Sequence, residues 1–256
     1  MVAAHRIVSL VPSLTEAVAL SAPGRLIAAT DWCTHPADLD VVRIGGTKNP
    51  DVPAIVALQP DLVIANAEEN REPDLVALRD AGLNVHVTDI RTVSGALTAL
   101  RDLMTLIDAE ETEWLDRAEA SWADPPRVMT PSGQPPRAVI PIWRRPWMHL
   151  GSDTYAGDVL ARLGIANVLA DHADRYPRIP LEELPRFDLV VLPDEPYVFT
   201  ADDGPEAFPD APAALVSGRL LTWYGPAMVE APHDLAASIN AALGSPGQRA
   251  MYPPSI

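Results

Sequence analysis

Apolar residues along this chain fall into short β-branched runs that alternate with longer stretches where they recur every three or four positions. Residues 6–10 (RIVSL) read as a strand ending at Val11-Pro12, and Ser13-Leu14-Thr15-Glu16 then has capping-box spacing ahead of an Ala/Val/Leu helix. The alternation continues with 25–30 (RLIAAT) as strand, 52–58 (VPAIVAL) as helix and 61–66 (DLVIAN) as strand. Residues 72–82 (EPDLVALRDAG) then predict a helix closed by Gly82, and 84–89 (NVHVTD) a strand. Strands that alternate with helices imply parallel pairing in an α/β sheet.

Residues 92–123 are helical by period, first through Leu97, Leu100, Leu103, Met104, Leu106 and Ile107, then in a charged stretch from Glu110 that carries Trp114, Leu115, Ala118 and Trp122. A long helical segment here would be a stiff strut. It stops at 125–136 (PPRVMTPSGQPP), whose five prolines exclude regular structure and mark a boundary. Beyond it, 137–143 (RAVIPIW) predicts a strand, 154–164 a helix ending at Gly164, 181–184 (LEEL) a helix and 187–192 (FDLVVL) a strand. Residues 226–243 predict a helix opened by Pro226 and bent at Pro232.

One internal match shapes the expected architecture. Residues 54–69 (AIVALQPDLVIANAEE) align without a gap to 181–196 (LEELPRFDLVVLPDEP), matching Asp61-Leu62-Val63 to Asp188-Leu189-Val190 and Glu68 to Glu195. Each copy runs from a strand into an acidic loop. The expected chain is therefore an α/β protein of two Rossmann-like lobes: an N-terminal lobe at 1–91, a connecting helical segment at 92–124 and a C-terminal lobe at 125–256 entered through the Pro-rich 125–136.

Composition narrows the partners. With 256 residues and 48% apolar content the chain buries a large core, and 19 basic against 35 acidic residues leave a net charge of −16. Such a charge repels phosphate backbones and anionic membranes, so nucleic acid is not an expected partner. The first residues lack a basic region and a cleavage site, and no apolar stretch is long enough to insert in a membrane. At face value the chain works in the cytoplasm. One cysteine, Cys33, makes no internal disulfide.

In open parallel sheets the ligand lies beyond the carboxyl ends of the strands. Those ends here are 11–13, 31–35, 66–70, 143–147, 194–197 and 223–225, and four of the six tryptophans, Trp32, Trp143, Trp147 and Trp223, fall among them. Tryptophan is costly to leave in a loop unless its face packs on something, which favours a flat or bulky organic ligand. Gly45-Gly46-Thr47-Lys48 lacks the spacing of a phosphate loop and reads as a two-glycine turn presenting Lys48, the sole lysine.

Six separated motifs then carry a family resemblance in order along nearly the whole chain: RIVSLVPSLTEAV, DWCTHP, GGTKNPDVPAIVALQPDLVIA, IWRRPWMHLGSDTYAGDVLARLGIANVLAD, YPRIPLEELPRFDLVVLPDEPYVF and LLTWYGPAM. Together they resemble the vitamin B12-binding and siderophore-binding group of class III (helical-backbone) ABC-transporter substrate-binding proteins, most closely its cobalamin-binding branch. The resemblance implies two α/β lobes joined by a rigid backbone helix, a ligand in the cleft between them, a monomer with no resident cofactor and no catalysis. It also implies docking of one glutamate per lobe onto a membrane permease, which places Glu72 at the first position. At the second, Tyr224-Gly225-Pro226-Ala227 follows Trp223 with no acid until Glu230. Members of the family are periplasmic or lipid-anchored outside the cytoplasm.

Three functions follow. The first is binding of a corrinoid or similar metal chelate, with Trp32, Trp143, Trp147, Tyr197, Trp223 and Tyr224 as packing surfaces and Lys48, Arg144 and Arg145 as donors to its polar groups. Cys33, His35 or His149 would reach a metal carried by that ligand. The second is haem, siderophore or metal-ion binding inside the cell without a transporter; a bare ion would draw on Cys33, His35, Glu68, Glu69, His149 and Glu195. The third is an enzyme with Cys33 as nucleophile and His35 as base, although no orienting third group accompanies them.

Overall fold

The computed structural model describes residues 4–244. The chain forms two compact units. The first takes the chain up to Ile90 with Ser94–Ala120 and Trp223–Val229; the second takes Arg91–Val93, Ser121–Thr222 and the chain from Glu230 on.

In the first unit, β1 (Ile7–Ser9), α1 (Pro12–Ser21), β2 (Leu26–Ala29) and β3 (Val42–Arg43) lead to a short antiparallel hairpin of β4 (Gly45–Gly46) and β5 (Asn49–Pro50). Then follow α2 (Val52–Leu58), β6 (Leu62–Asn66), α3 (Glu72–Asp80), β7 (Val85–Thr88), α4 (Val93–Leu106) and α5 (Glu113–Ala123). The five-stranded sheet runs β3-β2-β1-β6-β7, every pair parallel. Its strand β6 is buried at every position, as a parallel strand covered on both faces requires. Val8, Val63, Ala65, Ile55, Leu75 and Leu78 form the core on one face.

The second unit holds β8 (Arg137–Val139), an antiparallel hairpin of β9 (Pro141–Arg144) and β10 (Trp147–His149), and α6 (Tyr155–Arg162). It continues with β11 (Ala166–Asn167), β12 (Leu189–Pro193), β13 (Ala213–Val216), α7 (Gly218–Thr222) and α8 (Ala231–Gly244). Its parallel sheet runs β11-β8-β12-β13. Taken in chain order within each unit, β2-β1-β6-β7 and β11-β8-β12-β13 are the same arrangement, second-first-third-fourth. The internal match falls on β6 and β12, the third strand of each set, and both pair with the first strand of their sheet.

Four expectations need correction. The capping box at Ser13 does not form: α1 starts at Pro12 after an extended Val11, with no side-chain cap. Proline has a preset φ and no N–H to satisfy, so it suits the first turn and draws Ser13 and Glu16 inside the helix, where both are buried. The 92–123 segment is two helices. At the break Asp108 has φ 48°, and the Glu110 and Glu111 amides donate to the Ser21 carbonyl at 3.0 and 3.2 Å. The Trp114 indole N–H donates to the Ser21 hydroxyl at 2.7 Å, tying the break to the end of α1. The expected helix at 181–184 is a single 3-10 turn, Leu181–Glu183. The bent helix at 226–243 is a 3-10 turn, Pro226–Val229, followed by α8, in which Pro232 sits in the first turn where its missing N–H costs nothing. Gly82 and Gly164 do close α3 and α6, at φ 84° and 85°.

Candidate functional site

Each loop at the carboxyl edge of the first unit's sheet is fixed by side-chain bonds to backbone. After β2, the Arg43 guanidinium donates to the carbonyls of Thr30 at 3.0 Å and Cys33 at 2.8 Å. The loop thereby holds Trp32 outward, 67% exposed, with its indole nitrogen against Gly46. His35 is half-buried and meets Trp223 edge-on at 5.3 Å. Gly45 has φ 80°, and a Cβ there would lie 2.9 Å from the Asn49 carbonyl, so the β4–β5 turn needs glycine. Lys48, at that turn, donates to the Glu68 carbonyl at 2.6 Å.

After β6 the chain turns through a buried amide network. The Asn66 side-chain oxygen accepts from the Glu68 and Glu69 amides at 2.8 and 3.3 Å, and its NH2 donates to the Thr88 hydroxyl at 3.1 Å. Asn70 accepts from the Asn66 amide at 2.9 Å and donates to the carbonyls of Leu10 at 3.3 Å and Thr47 at 3.0 Å. Glu69 is thereby presented at the sheet edge, where its carboxyl accepts from the buried Tyr224 hydroxyl at 3.1 Å. Burial pushes the Glu69 pKa up to about 7 against the Tyr224 bond, with Glu68 adding to the rise and Lys48 opposing it. Burial, and then the Glu69 charge, hold the Tyr224 phenol well above its usual range.

In the second unit, the β9–β10 hairpin carries the other basic and aromatic candidates. Arg144 is ion-paired with both Asp203 and Glu206 and stacks over Trp147 at 5.4 Å. Tyr197 donates to Asp203 at 2.6 Å, which holds that carboxyl below the usual range, and meets Trp143 edge-on at 5.6 Å. Trp143 is 41% exposed and its indole N–H donates to the Arg145 carbonyl at 3.3 Å; Arg145 itself is exposed. Glu195 is half-buried, and a Cβ at Gly218 would lie 2.6 Å from its Cβ and its amide nitrogen.

Three of the sequence candidates are engaged in packing within their own unit. Cys33 is fully buried, its sulfur bonded to the hydroxyls of Thr15 at 3.0 Å and Thr30 at 3.1 Å, and burial raises its pKa. A thiol so placed is a small core residue, neither nucleophile nor metal ligand. His149 is also fully buried, with Nε2 bonded to the Ile179 carbonyl at 3.0 Å, and burial lowers its pKa. Trp147, half-buried, stacks on Phe199 at 6.2 Å and meets Phe208 edge-on at 5.6 Å, packed against the core cluster of this unit. Among the described residues no group of three or more His, Cys, Asp or Glu is placed to hold a metal ion.

The chain thus holds two α/β units whose parallel sheets have matched strand order, with aromatic residues at the sheet edges. Residues 7–188 match the family described as periplasmic binding protein. The chain belongs to the periplasmic binding protein family. The vitamin B12-binding protein of Vibrio cholerae serotype O1 is 25% identical over 186 residues, covering 71% of this chain and 67% of that protein. The solved structure of periplasmic vitamin B12 binding protein BtuF of Vibrio cholerae matches with a TM-score of 0.73 at 18% identity, over 94% of this chain and 99% of that one. Periplasmic heme-binding protein BhuT, in complex with two hemes, matches with a TM-score of 0.76 at 24% identity, over 93% and 99%.

Members of this periplasmic binding protein family are solute binders, which agrees with the non-enzymatic expectation and leaves the Cys33–His35 catalytic pair without support. Relatives named as periplasmic also give the cytoplasmic reading no support. No helix among the described residues is long and apolar enough to cross a membrane. Glu72 is the first residue of α3, exposed, and paired with Arg79 at 3.3 Å. Glu230 is exposed and pairs with Arg219 at 3.3 Å.

Sequence patterning locates the loops but not the groups that hold them. Arg43, Asn66, Asn70 and Thr88 carry no motif, and their partners lie 2 to 60 residues away. An asparagine at each end of a strand-end loop is the one available signal.

Proposed function

We propose that this protein binds a corrinoid, or a similar bulky metal chelate, at the carboxyl-edge loops of its sheets and delivers it to an ABC permease. The observation that carries this reading is the exposure of Trp32 and Trp143, the first on the loop after β2 and the second on the β9–β10 hairpin. An uncovered aromatic face on a fixed loop is poorly explained by the fold and well explained by a ligand that stacks on it. Trp32, His35, Trp223 and Tyr224 offer packing surface on the first unit, and Trp143 and Tyr197 on the second. Lys48, Glu69, Arg145 and Glu195 supply polar contacts. Arg144 positions the β9–β10 hairpin through its two acidic partners. Any metal arrives with the ligand. The relatives named as vitamin B12-binding favour a corrinoid over haem.

Titrating cyanocobalamin, haem and a ferric siderophore while following tryptophan fluorescence tests this. Saturable quenching by cyanocobalamin at one equivalent is expected, weakened at least tenfold in Trp32→Ala. Quenching by haem or the siderophore alone would reassign the ligand, and silence with all three would end the proposal. We further propose Glu72 as the docking carboxylate of the first unit. Glu72→Ala is expected to leave the titration unchanged and to abolish capture of the protein by its permease in detergent; retained capture would remove Glu72 from that role.

A further inference from the structure

The Glu69–Tyr224 pair deepens the corrinoid reading and rests on it. We infer that Glu69 selects a ligand whose periphery is uncharged amide over one whose periphery is carboxylate.

The geometry gives Glu69 little freedom. Its backbone amide is bonded to Asn66, and Tyr224, from a segment 155 residues away, donates to Oε1. Glu69 is nonetheless only half-buried as a residue, at the sheet edge. Trp223, next to Tyr224, packs against His35, and Lys48 lies at the neighbouring Glu68 carbonyl, so the carboxyl sits among the residues proposed to meet the ligand.

The groups around it fix its preference. Glu68 adjoins it on the same loop, Lys48 faces it from the β4–β5 turn, Tyr224 covers it from the 223–229 segment, and the Ser13 hydroxyl of α1 lies beside Tyr224. One lysine therefore stands against two carboxyls. A primary amide presents both a donor and an acceptor, so it is matched by either state of Glu69: the acid donates to the amide oxygen, and the carboxylate accepts from its N–H. A ligand carboxylate has no such match once Glu69 ionises, because two anions then face each other in a half-buried site. Glu69 titrates near pH 7, while a ligand carboxylate, with a pKa of about 4, is ionised throughout pH 6–8.

Dicyanocobinamide and dicyanocobyrinic acid share a corrin ring and differ in amide against carboxylate side chains, so fluorescence titration of both at pH 6, 7 and 8 separates the terms. The amide corrinoid is expected to bind at least tenfold tighter at pH 8, and its advantage to grow several-fold from pH 6 to pH 8. In Glu69→Gln, a variant of the same shape, the ratio is expected to stay flat. Comparable affinities for the two corrinoids, or a ratio that ignores pH in the unaltered protein, would overturn the inference while leaving the corrinoid reading intact. Growth of the ratio that persists in Glu69→Gln would overturn it as well. No binding of either corrinoid would defeat both.

Discussion

Replacing Trp147 with alanine is expected to destabilise the protein by about 3 kcal/mol, whereas Trp32→Ala and Trp143→Ala are expected to cost less than about 1 kcal/mol. All three indoles sit in loops or hairpins at strand ends, but their surroundings differ. Trp147 runs near parallel to Phe199 and His149, at 5° and 12°, with Phe208 edge-on to it and Arg144 over its ring. Removing it uncovers the aromatic cluster and leaves a cavity that a rigid sheet cannot close. Trp32 loses mainly solvent contact, and Trp143, 41% exposed, loses one edge-on ring contact and one hydrogen bond to backbone. Denaturant midpoints of the second unit's unfolding, read by circular dichroism, check this. A Trp147→Ala midpoint within error of the unaltered protein would return Trp147 to the ligand-facing set.

That contrast shows what a sequence can and cannot say about a loop residue. Four tryptophans at strand ends point to the right edges of both sheets, because strand ends follow from local patterning. Which face each indole turns to the core depends on partners such as Phe199 and Phe208, which are 52 and 61 positions beyond Trp147. The helices and longer strands are legible for the same local reason, and the match between 54–69 and 181–196 locates the third strand of each matched set of four. The four-residue β13 escapes the pattern because Pro209 and Pro212 crowd its approach and leave too few residues to show a period. The return of 223–229 to the first unit is also invisible in the sequence. The Tyr224–Glu69 bond, the Trp223–His35 contact and the close packing of Gly225, where a Cβ would lie 3.0 Å from the Ser13 carbonyl oxygen, reveal it. Cys33 and His35 look like a pair by spacing. The Thr15 and Thr30 hydroxyls claim the thiol instead, while the imidazole meets Trp223.

Asn70→Ala is expected to cost about 3 kcal/mol and to weaken ligand binding at least tenfold, although Asn70 itself is buried and touches no ligand in the proposed arrangement. Its side chain serves three backbone groups on three segments: the Asn66 amide at the end of β6, the Leu10 carbonyl after β1 and the Thr47 carbonyl in the β4–β5 turn. Alanine would leave all three without that partner in a site poor in water, at about 1 to 3 kcal/mol for each group that finds no other. The loop that sets Glu69 would loosen with them, and Thr47 is the neighbour of Lys48, so both polar contacts proposed for the ligand would lose their frame. Asn70→Asp separates the parts. It keeps an acceptor for the Asn66 amide but removes both donations and turns a carboxylate toward two carbonyl oxygens, so it is expected to be at least as destabilised as alanine at pH 8 and to recover partly at pH 5 as the carboxyl gains a proton. Stability from denaturant titration at both pH values, with cyanocobalamin affinity measured on the folded fraction, checks the chain of effects. An Asn70→Ala protein of unchanged midpoint would mean that the three backbone groups find other partners at no cost. An affinity that stays unchanged while stability falls would detach the Glu69 loop from the ligand.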